Sequence, residues 1–417
     1  MNGTIRDRMH GEREGFALTA AVIALVLVGA LVTGGFFAAS QENRITDSSH
    51  YAERALLVAE YGANDAAGTQ RTETLNALPL HTSVTYKLPV NAGPGVDDTA
   101  FVEIRRMQGD VGDPTGLFFI RSTGRVYGGR PRRSDEPRPE RSVAILVRTS
   151  TFDFHHHAAL VSLNPTEIKG NARVSGHDAV SDRWDESACP STNKGSVPGV
   201  VAKSEGDVTY KKGDAVTGNP AVFEDPYMTP ADFLVFGDWT YEELAARATK
   251  VFPHGSNPKP SPSLTADGLC DRSDPLNWGA PQLTGSGQPM NHPCEDYFPI
   301  IHARGNVRIN ANAYGQGILL VDGDLNVMGG FEFNGIVIVR GALETGAGNT
   351  RINGMIMVLG DTFIDGPEDN KIAGTPVVNY SSCALERAIL NNDETGWPER
   401  ITDRSWVDLT SSGVTGA

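Results

Sequence analysis

The residues best suited to chemistry are three adjacent histidines, His155-His156-His157, and a nearby His177-Asp178 pair. Imidazole and carboxylate together suit a divalent metal. On an extended segment neighbouring side chains point to opposite faces, so three adjacent histidines cannot share one ion. His155 and His157 could share a face and, with His177 and Asp178, form a metal site. The plainer reading is a polar strand end at a domain junction, and no resident metal is expected. A second set is acidic: Asp322, Asp324 and Asp361 lie at turn-like positions and offer the hard oxygens that Ca²⁺ takes. They lack the Gly-Gly-x-Gly-x-Asp spacing of calcium-binding rolls, so solvated turns are expected instead. Paired carboxylates can do acid–base work on a polysaccharide. Asp322 and Asp324 flank one glycine, but the matching positions further on are Arg340 and Ala342, so no catalytic row repeats. No Ser-His-Asp set, phosphate loop or dinucleotide fingerprint is present. The expectation is a non-enzyme with no catalytic residue and no cofactor.

Cysteine chemistry points to staples rather than ligands. Cys189, Cys270, Cys294 and Cys383 show no C-x-x-C or zinc spacing. An even number fits two disulfides in an oxidising compartment, with three pairings open. Cys270 and Cys294 lie in the most turn-rich stretch, so a Cys270–Cys294 bridge is expected first, with Cys189 and Cys383 as the complementary pair. Charge excludes another class. Thirty-six Lys and Arg against 51 Asp and Glu give a net charge of −15, which opposes binding to a phosphate backbone. No nucleic acid partner is expected.

The elements that position these residues start with an anchor. The run from Phe16 to Ala39 carries no charge and is long enough to cross a ~30 Å hydrocarbon core as a helix. Arg6, Arg8 and Arg13 precede it, so the N-terminus is expected in the cytoplasm and the remainder in the periplasm or outside. Ala52, Ala55, Leu56, Ala59 and Ala63 then recur at helical spacing. With no proline between, one helix from Phe16 to about Ala67 is expected, apolar all round at first and amphipathic afterwards. Four β-rich runs follow, 83–88, 100–105, 117–122 and 141–148, separated by Gly, Pro and Asp clusters. They predict an antiparallel sheet against that helix.

Beyond Ala158 a repeat takes over. Gly305, Gly323, Gly341 and Gly360 open similar segments at a nearly constant interval. Gln316, Asn334 and Asn353, each followed by Gly, hold matching places before apolar strands. This predicts a parallel β-solenoid, with the corner glycines supplying unusual φ, the amides stacked in a hydrogen-bonded ladder, and each coil needing its neighbours to bury its apolar face. Inward positions are expected at Leu325, Val327, Leu343, Thr345, Thr362 and Ile364. Gly170-Asn171-Ala172-Arg173-Val174 and Gly206-Asp207-Val208-Thr209-Tyr210 look like earlier coils. The expected organisation is a leader (1–15), a membrane-spanning and extended helix (16–68), an antiparallel sheet (69–157), a solenoid (158–376) with a cysteine-containing insertion (about 219–299), and a capping tail (377–417). In that tail Ser382 would cap a helix starting at Cys383, and Trp406 would help cover the solenoid.

The junction Arg13-Glu14-Gly15-Phe16-Ala17-Leu18 resembles the prepilin peptidase site of type IV pilin-like proteins. The stretch from Ala52 to Ala63 resembles the Ala-Glu-rich region of PilX-type minor pilins. Tyr380-Ser381-Ser382-Cys383-Ala384 and the final Ser405-Trp406 are similar to the ends of larger PilX-domain proteins. The resemblance implies cleavage between Gly15 and Phe16. The fifth mature residue, usually Glu, is Ala20 here, which puts assembly as a bulk filament subunit in doubt. The implied fold is an α+β pilin-like part, a long helix plus an antiparallel sheet, ahead of the solenoid. The implied role is a minor subunit that initiates or tips a type IV pilus-like filament, or mediates adhesion at the cell surface. Its partners would be other pilin subunits, the assembly machinery, prepilin peptidase and the inner membrane. Two other readings stay open: an anchored β-helix enzyme acting on polysaccharide, and a structural surface protein with no filament role.

Overall fold

The computed structural model describes residues 14–91, 97–109, 115–126, 140–150, 152–179, 184, 195–210, 215–280, 292–310, 312–346, 348–365, 376–401 and 406–410. Most of the expected leader, and Cys189, lie outside these residues. Helix α1 runs from Glu14 to Thr69, 56 residues, or about 84 Å at 1.5 Å per residue. Its first half packs on no other element among the described residues: Leu18, Leu25, Leu31 and Phe36 are each more than 70% exposed. Its second half buries Ala55, Val58, Ala59, Ala63 and Ala66 against an antiparallel sheet of β1 (Ser83–Asn91), β2 (Asp97–Gln108), β3 (Gly116–Arg125) and β4 (Glu140–Thr149), paired in sequence order.

Small residues on both surfaces set how closely helix and sheet approach. A Cβ added at Gly124 of β3 would stand 2.7 Å from the Ala59 amide nitrogen. One added at Gly62 would stand 2.5 Å from Ala100 Cβ and from Ser122 Oγ. Such contacts leave no room for a larger side chain. An ion pair, Arg54 Nε to Asp98 Oδ2 at 2.7 Å, with the carboxylate buried and the guanidinium partly exposed, ties the helix to the start of β2. At the other end of that strand the buried Arg106 gives Nη1 to the carbonyls of Asn76 and Leu78, at 2.7 and 3.0 Å, and stands over the Phe118 ring.

The later part holds two long parallel sheets whose inward residues share one apolar core. One orders the short strands Val307–Ile309, Leu325–Val327, Leu343–Thr345, Thr362–Asp365, Thr166–Lys169 and Val208–Tyr210. The other stacks Lys250–Pro253, Ile300–Arg304, Ala313–Val321, Phe331–Val339 and Arg351–Val358. Registers step by the repeat: Leu325 pairs Leu343, Leu343 pairs Thr362, and Gln316 pairs Asn334, which pairs Asn353. Leu325, Val327, Leu343, Thr345, Thr362 and Ile364 all point inward and are buried.

The stacking order departs from chain order. Beyond Arg351–Val358 the next layer is built from two distant segments. Val377–Tyr380 pairs with its first half and Leu160–Ser162 with its second. The chain therefore enters the stack at an internal layer. It continues outward through Arg173–Ser175, Val200–Ala202, Val216–Thr217 and Val222–Glu224, crosses to the far end at Lys250, and returns layer by layer to the entry point.

Several expectations change as a result. Of the two early coil fragments, 206–210 sits in the short-strand sheet, but 170–174 does not. Arg173–Ser175 belongs to the other sheet, and the true counterpart of Val208 is Thr166. The region 219–299 is only in part an insertion, because Val222–Glu224 and Lys250–Pro253 are outer strands of the stack. Within 219–299 a helix runs over Tyr241–Ala246, capped by Thr240 and Glu243. In the tail, Ser381 caps the helix Ser382–Leu390 by accepting from the Ala384 amide. That helix lies across the long-strand sheet, with Ala388 facing Gly335. The tail then leaves the stack: Glu399–Arg400 and Trp406–Asp408 pair with β4. Trp406 thus extends the edge of the sheet beside α1, where it stays exposed, and does not cover the repeat region. An edge strand with open hydrogen-bonding groups accepts such a partner readily.

The corner glycines act through space rather than dihedral angle. Gly305 has φ +114°, but Gly323, Gly341 and Gly360 have no left-handed φ. A Cβ at Gly341 would lie 2.5 Å from the Gly323 carbonyl carbon, and one at Gly360 the same distance from that of Gly341. The glycines after the amides, Gly317, Gly335 and Gly354, are left-handed, at φ +111°, +140° and +137°.

Candidate functional site

Three places could carry function: the anchor helix, the layer where the chain's two ends meet, and a histidine cluster. In the first, Gly15 and Phe16 lie in the opening turn of α1 and Ala20 is exposed on it. From Leu18 onward the helix is long and apolar enough to cross a membrane, as a single anchor requires.

At the shared layer, a side-chain column runs through the stack. Asn353 Nδ2 donates to Asn334 Oδ1 at 2.8 Å, and Asn379 Nδ2 donates to Asn353 Oδ1 at 3.1 Å. Asn379, absent from the expected ladder, extends it across the junction with the C-terminal strand. Gln316 does not join by hydrogen bond. Its Nε2 donates to the carbonyls of Glu295 and Tyr297, at 2.8 and 3.0 Å, while its Oε1 and Asn334 Nδ2 stay unbonded. The layer below Gln316 lacks a first half-strand, and the chain around Trp278 and Cys294–Tyr297 fills that place. The longer Gln side chain reaches these carbonyls. The filling segment is stapled by a Cys270–Cys294 disulfide, Cα atoms 4.9 Å apart. Lys250 Nζ, donating to the carbonyls of Arg272 and Asp274 at 2.6 and 2.7 Å, holds it to the strand Lys250–Pro253. Burial pushes the Lys250 ammonium below its ordinary pKa. Cys383, in the helix over the sheet, is disulfide-bonded.

The four residues weighed as a metal set, His155, His157, His177 and Asp178, do not come together as one ligand group. Residues 152–159 form no strand, so alternation of faces does not govern them. Asp178 binds Ser382 twice, its carboxylate accepting from the amide at 2.9 Å and from the hydroxyl at 2.7 Å. This fixes the start of the C-terminal helix to the first outward layer. His177 Nδ1 meets Ser196 Oγ at 2.7 Å. His157 faces the Tyr380 hydroxyl. The histidines that do converge are His155 and His156, joined by Asp225. Burial, and then His155, lower the pKa of His156. The sequence held no signal for Asp225, which lies far beyond His156 in the chain.

Of the acidic set, Asp322 and Asp324 are engaged in structure. Asp322 accepts from Tyr241 Oη at 2.9 Å and meets His302 Nε2 at 3.0 Å. Burial first, then that carboxylate, raise the Tyr241 pKa well above its ordinary value. Asp324 accepts from Asn306 Nδ2 at 3.0 Å and from the Ala342 amide at 2.8 Å, bridging three layers. These bonds occupy both carboxylates. A polar cleft of about 370 Å³ lies elsewhere on the stack, lined by Asn312, Tyr314, Glu332, Asn349 and Arg351 among others.

No family model matches the sequence, and no curated protein matches it. Among solved structures, the competence-associated pilin ComZ from Thermus thermophilus is similar over 86% of this chain and 96% of its own length, at 11% identity and a TM-score of 0.24. A likeness that slight bears no weight for fold or role.

Proposed function

We propose that this chain is a pilin-like minor subunit of a type IV pilus or related filament. In this reading α1 is both membrane anchor and assembly helix, and the parallel stack is a β-solenoid that serves as a non-catalytic interaction module in filament initiation, tip assembly or adhesion. The observation that carries the reading is the division of α1. Its first half is apolar and bare, while its second half is buried on an antiparallel sheet of the same chain. A subunit held first in a bilayer and then among neighbouring helices needs such a division. Prepilin peptidase would cut between Gly15 and Phe16, leaving the stack on the outer side of the inner membrane. Ala20 in place of Glu favours a low-copy position.

Intact mass and N-terminal sequencing of the membrane-extracted chain test the first step. A mature start at Phe16 supports the reading, and a chain that keeps residues 1–15 in the membrane overturns it. Presence in sheared filaments tests the second step. Absence there, with correct processing, leaves a structural surface protein. The polar cleft at Tyr314 and Glu332 is the one observation that favours an anchored β-helix enzyme. Turnover of acidic polysaccharides by the solubilised chain would support that alternative.

A further inference from the structure

The link between β4 and the parallel sheets brings together three ligand-bearing side chains. One ligand atom each from His155, His156 and Asp225 lies within 4.8 Å of the other two. The carboxylate is already fixed in aim: Asp225 Oδ1 accepts from the Tyr227 amide at 2.9 Å, which leaves Oδ2 facing His156 Nε2 at 3.0 Å. That ring nitrogen is buried, yet its geometry completes no hydrogen bond. The lone pair or proton on this nitrogen therefore has no well-aimed partner, although a carboxylate oxygen sits at contact distance. The Phe223 ring stands beside His156, with ring centroids 6.4 Å apart. His155 is exposed, so the cluster opens to solvent on its side.

Two imidazoles and one carboxylate with an open fourth side are a donor set for zinc. Bonds of about 2.0–2.1 Å in a tetrahedron place ligand atoms roughly 3.4 Å apart. The His156–Asp225 pair is already near that spacing. Only the exposed His155 ring has to swing inward.

We propose that His155, His156 and Asp225 bind a Zn²⁺ ion that ties the segment entering the parallel sheets to the end of the outermost strand, Val222–Glu224. The ion clamps the antiparallel sheet's exit to the stack at a point where the chain makes no strand of its own. Water fills the fourth position.

The test uses the full chain in detergent, stripped with chelator and titrated calorimetrically with ZnCl₂ at about pH 7.5, where unpaired imidazoles are neutral. One saturable site is expected, with a rise in the unfolding midpoint on addition of Zn²⁺. His155→Ala and Asp225→Asn should each weaken binding by about tenfold or more. His177→Ala, outside the cluster, should leave it unchanged. His155 is exposed, so its loss does not threaten folding, and circular dichroism of each variant checks this. No saturable binding in the unaltered chain overturns the proposal. So does undiminished binding in His155→Ala and Asp225→Asn, which would assign the zinc to scattered surface histidines.

Discussion

The sheet beside α1 and the parallel stack solve the same problem, burying apolar faces, in opposite ways. In the first, strands pair in the order they are made, and the helix that covers them immediately precedes them. Closing it requires only short loops, apart from the final strand pair from the tail. In the second, the layer where the chain enters joins segments far apart in sequence: Leu160 pairs Ile356, and Thr166 pairs Thr362. Closing that layer requires nearly half the chain to be in place. Loop-closure entropy makes such pairings late and slow. The antiparallel part can therefore form as it emerges, whereas the stack waits for its C-terminal strand. One part is specified locally, the other by return.

Mutations should separate the two parts. The largest effect is expected from Gly354→Val. Its left-handed φ and the Gly335 carbonyl carbon, 2.8 Å from any added Cβ, make a cost above ~4 kcal/mol reasonable. Limited proteolysis should cut the stack while α1 and β1–β4 stay protected; equal loss of both would mean the parts fold as one unit. Asp98→Ala should do the converse. It leaves the half-buried Arg54 without this carboxylate at a cost of up to ~3 kcal/mol, read as a lowered unfolding midpoint of the antiparallel part alone. Replacing both Cys270 and Cys294 by Ser should lower stack stability by ~3 kcal/mol in chemical denaturation and leave the first part unmoved. Asn353→Ala removes one donor and one acceptor from the amide column. A cost of ~1–3 kcal/mol is expected, and it should fall on the stack transition only.

The two parts also differ in how far they could be read from sequence. The anchor and four strands announce themselves by period and by turn residues. The regular step of Gly323, Gly341 and Gly360 is the register of the structure, because those layers follow one another in the chain. The remainder of the stack left no period to find. Thr166 and Val208 pair although they stand more than two repeats apart in the chain. The match at 170–174 followed a glycine that leads into a strand of the other sheet. Asn379 escaped notice because it follows Asn353 by a longer interval than the repeat. The histidine cluster was half legible. Treating residues 155–157 as strand excluded His156, the member that contacts Asp225, and no spacing rule links a histidine to so distant an acid.

The crossing from Val222–Glu224 to Lys250–Pro253 has one more consequence. Between those strands lie seven inter-strand steps, about 34 Å at ~4.8 Å each. The connecting residues, pinned along the way by buried Phe233, Trp239 and Tyr241, act as a ruler. Duplicating one coil would lengthen the stack by one step while leaving the ruler unchanged. The stack and its crossing are thus coupled in length, although the crossing supplies none of the repeats.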